Sequence, residues 1–157
     1  MIMVNGIPAH PLVIHAVVVL LPLATLGTIA MAIRPRWRRA LGIPVALVAL
    51  AGGIAVPIAT QTGEQLQRAL NGGGPLVAIH ESRAASLLPW AVAFVVLVIA
   101  TVAVGIRSDR RGPEGSVALQ RATTGIAALA ALLGIVVTGL VIWIGDAGAA
   151  AVWQGSF

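Results

Sequence analysis

The sequence predicts an all-α fold: a four-helix transmembrane bundle with both termini on the non-cytoplasmic side. Three observations predict it. The 157-residue chain is 59% hydrophobic and only 10% charged, where soluble domains carry about 25% charged residues, and its mean hydropathy is +0.99. Four stretches free of charged residues, at 11–33, 41–60, 84–106 and 123–144, reach the roughly 20 apolar residues that a bilayer-crossing helix needs. Arginine, the only basic residue besides histidine, is distributed unequally between the links. Period-2 alternation, the mark of a membrane β-barrel, is absent.

The elements follow in order, as one membrane domain over 1–157. Met1–Ala9 carries no Arg or Lys, so a cleaved signal peptide is not expected. Span one, 11–33, contains Pro22 and ends at Arg34-Pro35-Arg36-Trp37-Arg38-Arg39. Span two, 41–60, has Ala49 and Gly53 four apart with Gly52 alongside, a small-residue row that lets helix backbones approach in lipid. Pro22 and Pro57 predict kinks. In the link that follows, Thr62 and Gln65 fit a capping box, which predicts a short outer helix over 62–71 with Leu66 and Leu70 laid on the bundle. Asn71-Gly72-Gly73-Gly74 ends it. Pro75 suits the first position of a new helix; run without a break to Ile106, that helix would be about 45 Å long. Span four, 123–144, carries Ala130, Gly134 and Thr138 in one i, i+4 row, and Gly145–Gly155 reads as a turn-rich tail holding Asp146.

Orientation comes from the arginines. Arg34, Arg36, Arg38, Arg39, Arg107, Arg110, Arg111 and Arg121 lie in the two links on one side, and only Arg68 and Arg83 on the other. The Arg-rich side is therefore expected to be cytoplasmic. The +5 net charge is this topology signal. It does not point to nucleic acid, because the runs are short, hug the membrane and lack interleaved aromatics. Trp37, Trp90, Trp143 and Trp153 fall near span ends, where interfacial Trp belongs. The chain has no Cys, which excludes disulfides and thiolate metal sites. No phosphate loop, HExxH or nucleophile–base pair is present, so an enzyme of the soluble type is not expected.

The candidate site follows from polar clustering. All three histidines, His10, His15 and His80, and the acids Glu64, Glu81 and Asp146 fall on the side opposite the Arg-rich links. His15 lies inside an apolar run, where an ionisable residue usually faces the bundle and marks a site; the bland alternative is a neutral His bonded to a carbonyl. His10 precedes Pro11 at the helix mouth and reads as a capping or interfacial residue. Five residues separate His10 from His15, about 140° round a helix, so the two do not chelate one ion. His80 and Glu81 open the third span, and Glu64 has the ordinary role of a first-turn acid.

The opening Gly6-Ile7-Pro8-Ala9-His10-Pro11-Leu12-Val13-Ile14-His15 resembles the start of the predicted membrane proteins grouped as domain-of-unknown-function 2231, which typically enter the first of four spans with His-Pro-x-x-x-His. Thr62-Gly63-Glu64, His80-Glu81 and Gly145-Asp146-Ala147-Gly148-Ala149 are also similar to that family, although Asp146 stands where the family often has His. The resemblance covers nearly the whole chain. It implies four spans and no defined activity. Relatives fused to Rieske or c-type cytochrome domains imply redox chemistry.

Two functions of different class result. In one, His15 and His80 bind a b-type haem near the outer face, or His15, His80, Glu64 and Glu81 bind a transition metal, with His10 and Asp146 as neighbours, serving membrane electron transfer. In the other, the chain is a non-catalytic accessory subunit on a larger membrane complex. A transporter is disfavoured, because no inverted repeat and no mid-span charge is seen. The expected partners are the lipid bilayer and redox or membrane-complex proteins, with a homo-oligomer open; the expected location is a bacterial cell membrane, multi-pass.

Overall fold

The computed structural model describes residues 2–72, 74–111 and 113–153, with the side chains of 113–116 outside the description. Among the described residues there are five α-helices: α1 (Ala9–Ile33), α2 (Arg38–Ala69), α3 (Gly74–Ala85), α4 (Leu87–Arg110) and α5 (Pro113–Trp153). A single 3-10 turn, Pro35–Trp37, joins α1 to α2. Four helical segments, Ala9–Ile33, Pro35–Ala69, Gly74–Arg110 and Val117–Trp153, are long and apolar enough to cross a membrane. α1, α2, α4 and α5 pack in that cyclic order, each against the next, and α3 lies on α5. The Arg-rich turns gather at one end of this bundle and the histidine-bearing elements at the other.

The core is built from small and medium side chains. Leu21, Ala24 and Met31 of α1, Ala49 of α2, Ala91, Phe94 and Val98 of α4, and Ala130 and Val137 of α5 are fully buried. Bulky residues such as Leu26, Leu47, Ile54, Val96, Leu132 and Ile142 are exposed around the bundle, as lipid contact requires. The small-residue rows read from the sequence sit at the helix crossings. A Cβ on Gly134 would stand 2.8 Å from Phe94 Cε2 and 2.8 Å from Thr25 Oγ1, and one on Gly53 would stand 2.8 Å from Val95 Cγ2. Thr25 uses this closeness: its hydroxyl donates to Leu21 O at 2.9 Å and to Gly134 O at 3.1 Å, and accepts from Thr138 at 3.2 Å. Thr25→Val keeps the shape and removes these bonds. We expect it to lower stability by about 0.6 kcal/mol, the average for such contacts in membrane bundles, as read by equilibrium unfolding in detergent.

Three local expectations are corrected. Thr62 is not an N-cap: α2 runs unbroken from Arg38 to Ala69, and the Thr62 hydroxyl donates back to Ile58 O at 2.8 Å and Ala59 O at 3.1 Å. Nothing between Pro57 and Ala69 breaks a helix, since one Gly costs only about 1 kcal/mol. The end at Asn71 is as expected. Asn71 and Gly72 take φ of 54 and 96, and Asn71 N–H to Arg68 O (3.3 Å) with Gly72 N–H to Gln67 O (3.0 Å) form a Schellman motif; Gly73 lies outside the described residues. The helix from Pro75 does not run straight on to Ile106. It breaks at Ser86, whose hydroxyl donates to Arg83 O at 2.7 Å, because Pro89 has no N–H for the carbonyl of Ala85 and its ring crowds that carbonyl. Asp146 is not in a turn: α5 continues through it to Trp153, and Gln154–Phe157 lie outside the described residues.

The chain before α1 forms an antiparallel hairpin, β1 (Met3–Val4) on β2 (Ile7–Pro8), with Met3 opposite Pro8 and Val4 opposite Ile7. Asn5 and Gly6 turn it with φ of 50 and 81, the positive values that a two-residue hairpin loop needs and that Asn-Gly supplies.

Candidate functional site

The site lies where α1, α2, α3 and α5 meet, at the end opposite the Arg-rich turns. It is built by His10 and His80. Their ring centroids are 6.5 Å apart with the planes at 75°. His10 Nδ1 is 2.9 Å from Ala59 O of α2 and 3.4 Å from Thr62 Oγ1. His80 Nδ1 is 3.0 Å from Ile144 O of α5. A carbonyl only accepts, so both Nδ1 atoms carry the proton and both Nε2 atoms keep a lone pair in the neutral rings.

Local sequence explains why the rings reach these carbonyls. Pro57 of α2 cannot donate to Gly53, but Ala59, Thr62 and Gly63 beyond it form the surface that His10 meets. A Cβ on Gly63 would stand 2.8 Å from His10 Cε1, and one on Gly148 would stand 3.1 Å from His80 Cε1. Each imidazole therefore lies in a seat left by a glycine. The rim is polar. Gln67 donates to Glu81 at 2.9 Å, Arg68 pairs with Glu64 at 3.2 Å, and the Ile2 N–H donates to Gln65 Oε1 at 3.2 Å, tying the hairpin to α2. Arg83 lies over the Trp143 ring at 4.4 Å and donates to Trp143 O at 3.3 Å. Trp143 is exposed and adjoins Ile144, so the pair stands at the level of an interfacial Trp.

The sequence-predicted residues divide accordingly. The structure joins His80 to His10, not to His15. The His15 side chain is exposed, and its Nδ1–H turns back to Pro11 O within its own helix. The reason is the separation already noted: a ring about 140° round the helix from His10 points away when His10 points in. Glu64 and Glu81 are occupied by Arg68 and Gln67, and Asp146 is exposed. His15, His80, Glu64 and Glu81 do not form a metal cage; among the described residues no group of three or more His or carboxylate side chains could hold an ion. Sequence reasoning missed His10 as the inward residue, and with it Gly63 and Gly148. No local signal marked His10, because the rotation of α1 is set by its contacts with α2, where His10 meets Ala59 and Gly63.

The haem expected between His15 and His80 lacks its facing rings, because His15 is exposed and bonded within its own helix. An ion held in line between two Nε2 atoms, by metal–nitrogen bonds of about 2.0–2.1 Å and with ring radii of about 1.1 Å, would need centroids about 6.2–6.4 Å apart; the centroids here are 6.5 Å apart.

No curated protein and no solved structure is significantly similar to this chain. The model of one family, described as predicted membrane protein (DUF2231), matches residues 6–156. That match takes in both histidines of the pair, their two glycine seats and all four candidate spans, and the chain belongs to this family of predicted membrane proteins.

Proposed function

We propose that this protein is a metal-binding component of a bacterial cell membrane, holding one copper-class ion between His10 and His80 in the service of electron transfer. One observation carries the reading: both Nδ1 atoms are taken by backbone carbonyls, Ala59 O and Ile144 O, which is the outer-shell arrangement that orients ligating histidines and leaves Nε2 free. Imidazole serves copper, zinc, iron and nickel, with copper highest in the divalent affinity order. Two neutral imidazoles with no carboxylate favour an ion of low charge, and copper(I) accepts two donors. When bound, the ion supplies a one-electron couple. The chain's part is to fix each ring's tautomer through a carbonyl, set its position through a glycine, and hold the pair at the membrane surface within reach of a redox partner protein.

The test is to load the purified protein in mild detergent with copper(I) under anaerobic conditions, exchange away the excess and measure metal. About one ion per chain is expected for a single bis-imidazole site. Wild-type protein that retains no copper overturns the reading. The chain would then be an accessory subunit of a larger membrane complex, with the histidines fastening helix ends.

The proposal also places the pair on the non-cytoplasmic face, because eight of ten arginines lie at the other end. Reporter fusions at Trp37 should read cytoplasm and fusions after Phe157 should read exterior. The reverse pattern would put the pair in the cytoplasm.

A further inference from the structure

At the opposite end of the bundle, the first residue of α2 does not behave as a mere topology signal. Arg38 turns inward. Its Nε donates to Met31 O of α1 at 3.0 Å and its Nη1 to Thr124 Oγ1 of α5 at 3.1 Å. Its Nη2 is shielded from solvent and has no hydrogen-bond partner among the described residues. A shielded guanidinium nitrogen without a partner is costly, and in native structures it commonly marks a missing water or ion. Arg38 also lines a cleft of about 740 Å³ together with Arg36, Arg39, Arg121 and Gln120. Arg39 is neutralised by a two-pronged pair with Asp109, both bonds 3.1 Å. Arg36, Arg38 and Arg121 have no carboxylate partner among the described residues. The cleft thus combines three guanidinium groups without a carboxylate partner among the described residues, an unused inward donor, and the side-chain amide of Gln120.

We propose that this cleft binds a phosphate group, carried by an anionic phospholipid of the adjoining leaflet. Guanidinium groups suit phosphate because their forked donors match its oxygens. The volume is within the range of small-ligand pockets, about 300–1,000 Å³, enough for a phosphate and its glycerol. The location fits a lipid source. The cleft opens between the ends of membrane-spanning helices, Val117 on its rim is exposed, and Trp37 beside it is exposed at the depth of an interfacial Trp. Basic pockets between spans at this level are where acidic headgroups dock. This inference does not depend on the metal reading, since it uses none of the same residues.

The experiment is native mass spectrometry of the full chain released from bilayer nanodiscs containing phosphatidylglycerol or phosphatidylcholine, with inorganic phosphate as a separate probe. Wild-type protein should retain phosphatidylglycerol in preference to phosphatidylcholine, and added inorganic phosphate at millimolar concentration should compete only weakly. Arg121→Gln and Arg36→Gln, both at exposed positions, should each weaken retention about fivefold, the value of one surface Arg toward an acidic headgroup. Arg38→Gln should weaken it further, and the two exposed variants keep the test decisive if Arg38→Gln fails to fold. Equal retention of the two lipids, or retention unchanged in all three variants, overturns the proposal. Inorganic phosphate that binds with the same Arg dependence while phosphatidylglycerol does not would overturn the lipid source.

Discussion

Gly134→Leu is expected to abolish the folded bundle in detergent, and Gly134→Ala to destabilise it by about 1–3 kcal/mol, the usual cost of overpacking a tight interior. Position 134 is where three helices meet. A Cβ there would stand 2.8 Å from Phe94 Cε2 and 2.9 Å from Thr25 Cγ2, so α1 and α4 would both have to retreat from α5. Phe94 is fully buried. The Thr25–Gly134 hydrogen bond at 3.1 Å would lengthen as the helices part. Gly125→Ala in the same helix is the control. Nothing lies within 4 Å of a Cβ there, and replacing a mid-helix Gly with Ala is expected to stabilise by about 0.5–1 kcal/mol. Opposite signs for two identical substitutions in α5 would show that packing, not helix propensity, sets the result. Equal effects would show that the helices do not cross at Gly134.

His10→Ala and His80→Ala are each expected to lower copper affinity by more than 100-fold, because losing one ligand of two exceeds the roughly 10–100-fold that follows from losing an outer-shell partner. His15→Ala should change affinity little, since that ring is exposed and bonded within α1. Gly63→Ala and Gly148→Ala leave both ligands in place but push on the rings, at 2.8 Å and 3.1 Å. Their expected loss is the intermediate one, about 10–100-fold. Competition titration against a copper(I) chelator of known affinity measures all five. Losing affinity in His15→Ala while keeping it in His10→Ala would reverse the assignment of the pair.

Much of this arrangement is legible in the sequence, for physical reasons. Membrane spans declare themselves because lipid demands long uncharged runs, and each predicted span lies within one of the four observed segments. The crossings at Gly53 and Gly134 were visible because close approach in lipid requires small residues in a row. Helix ends were less legible. Thr62 carries the residue types of a cap, yet the helix had no reason to stop there, and its hydroxyl bonds back to Ile58 O instead. Ser86 showed no such signal of its own; the break came from Pro89, three residues on. The site was legible as a set of residues but not as a pair. Which of His10 and His15 faces inward depends on the rotation of α1, and that rotation is set by packing partners such as Gly63, which lie far away in sequence. A carboxylate's partner is equally hidden: Glu81 meets Gln67 only because α3 folds back beside the end of α2.

The most direct test of the central claim is X-ray absorption at the copper edge of the loaded wild-type protein. The account predicts a first shell of two nitrogens at about 2 Å with the outer-shell scattering of imidazole rings, and a weakened imidazole pattern in His10→Ala and His80→Ala but not in His15→Ala. A first shell of sulfur or carboxylate oxygen, or a spectrum unchanged in the double variant lacking both His10 and His80, would contradict it.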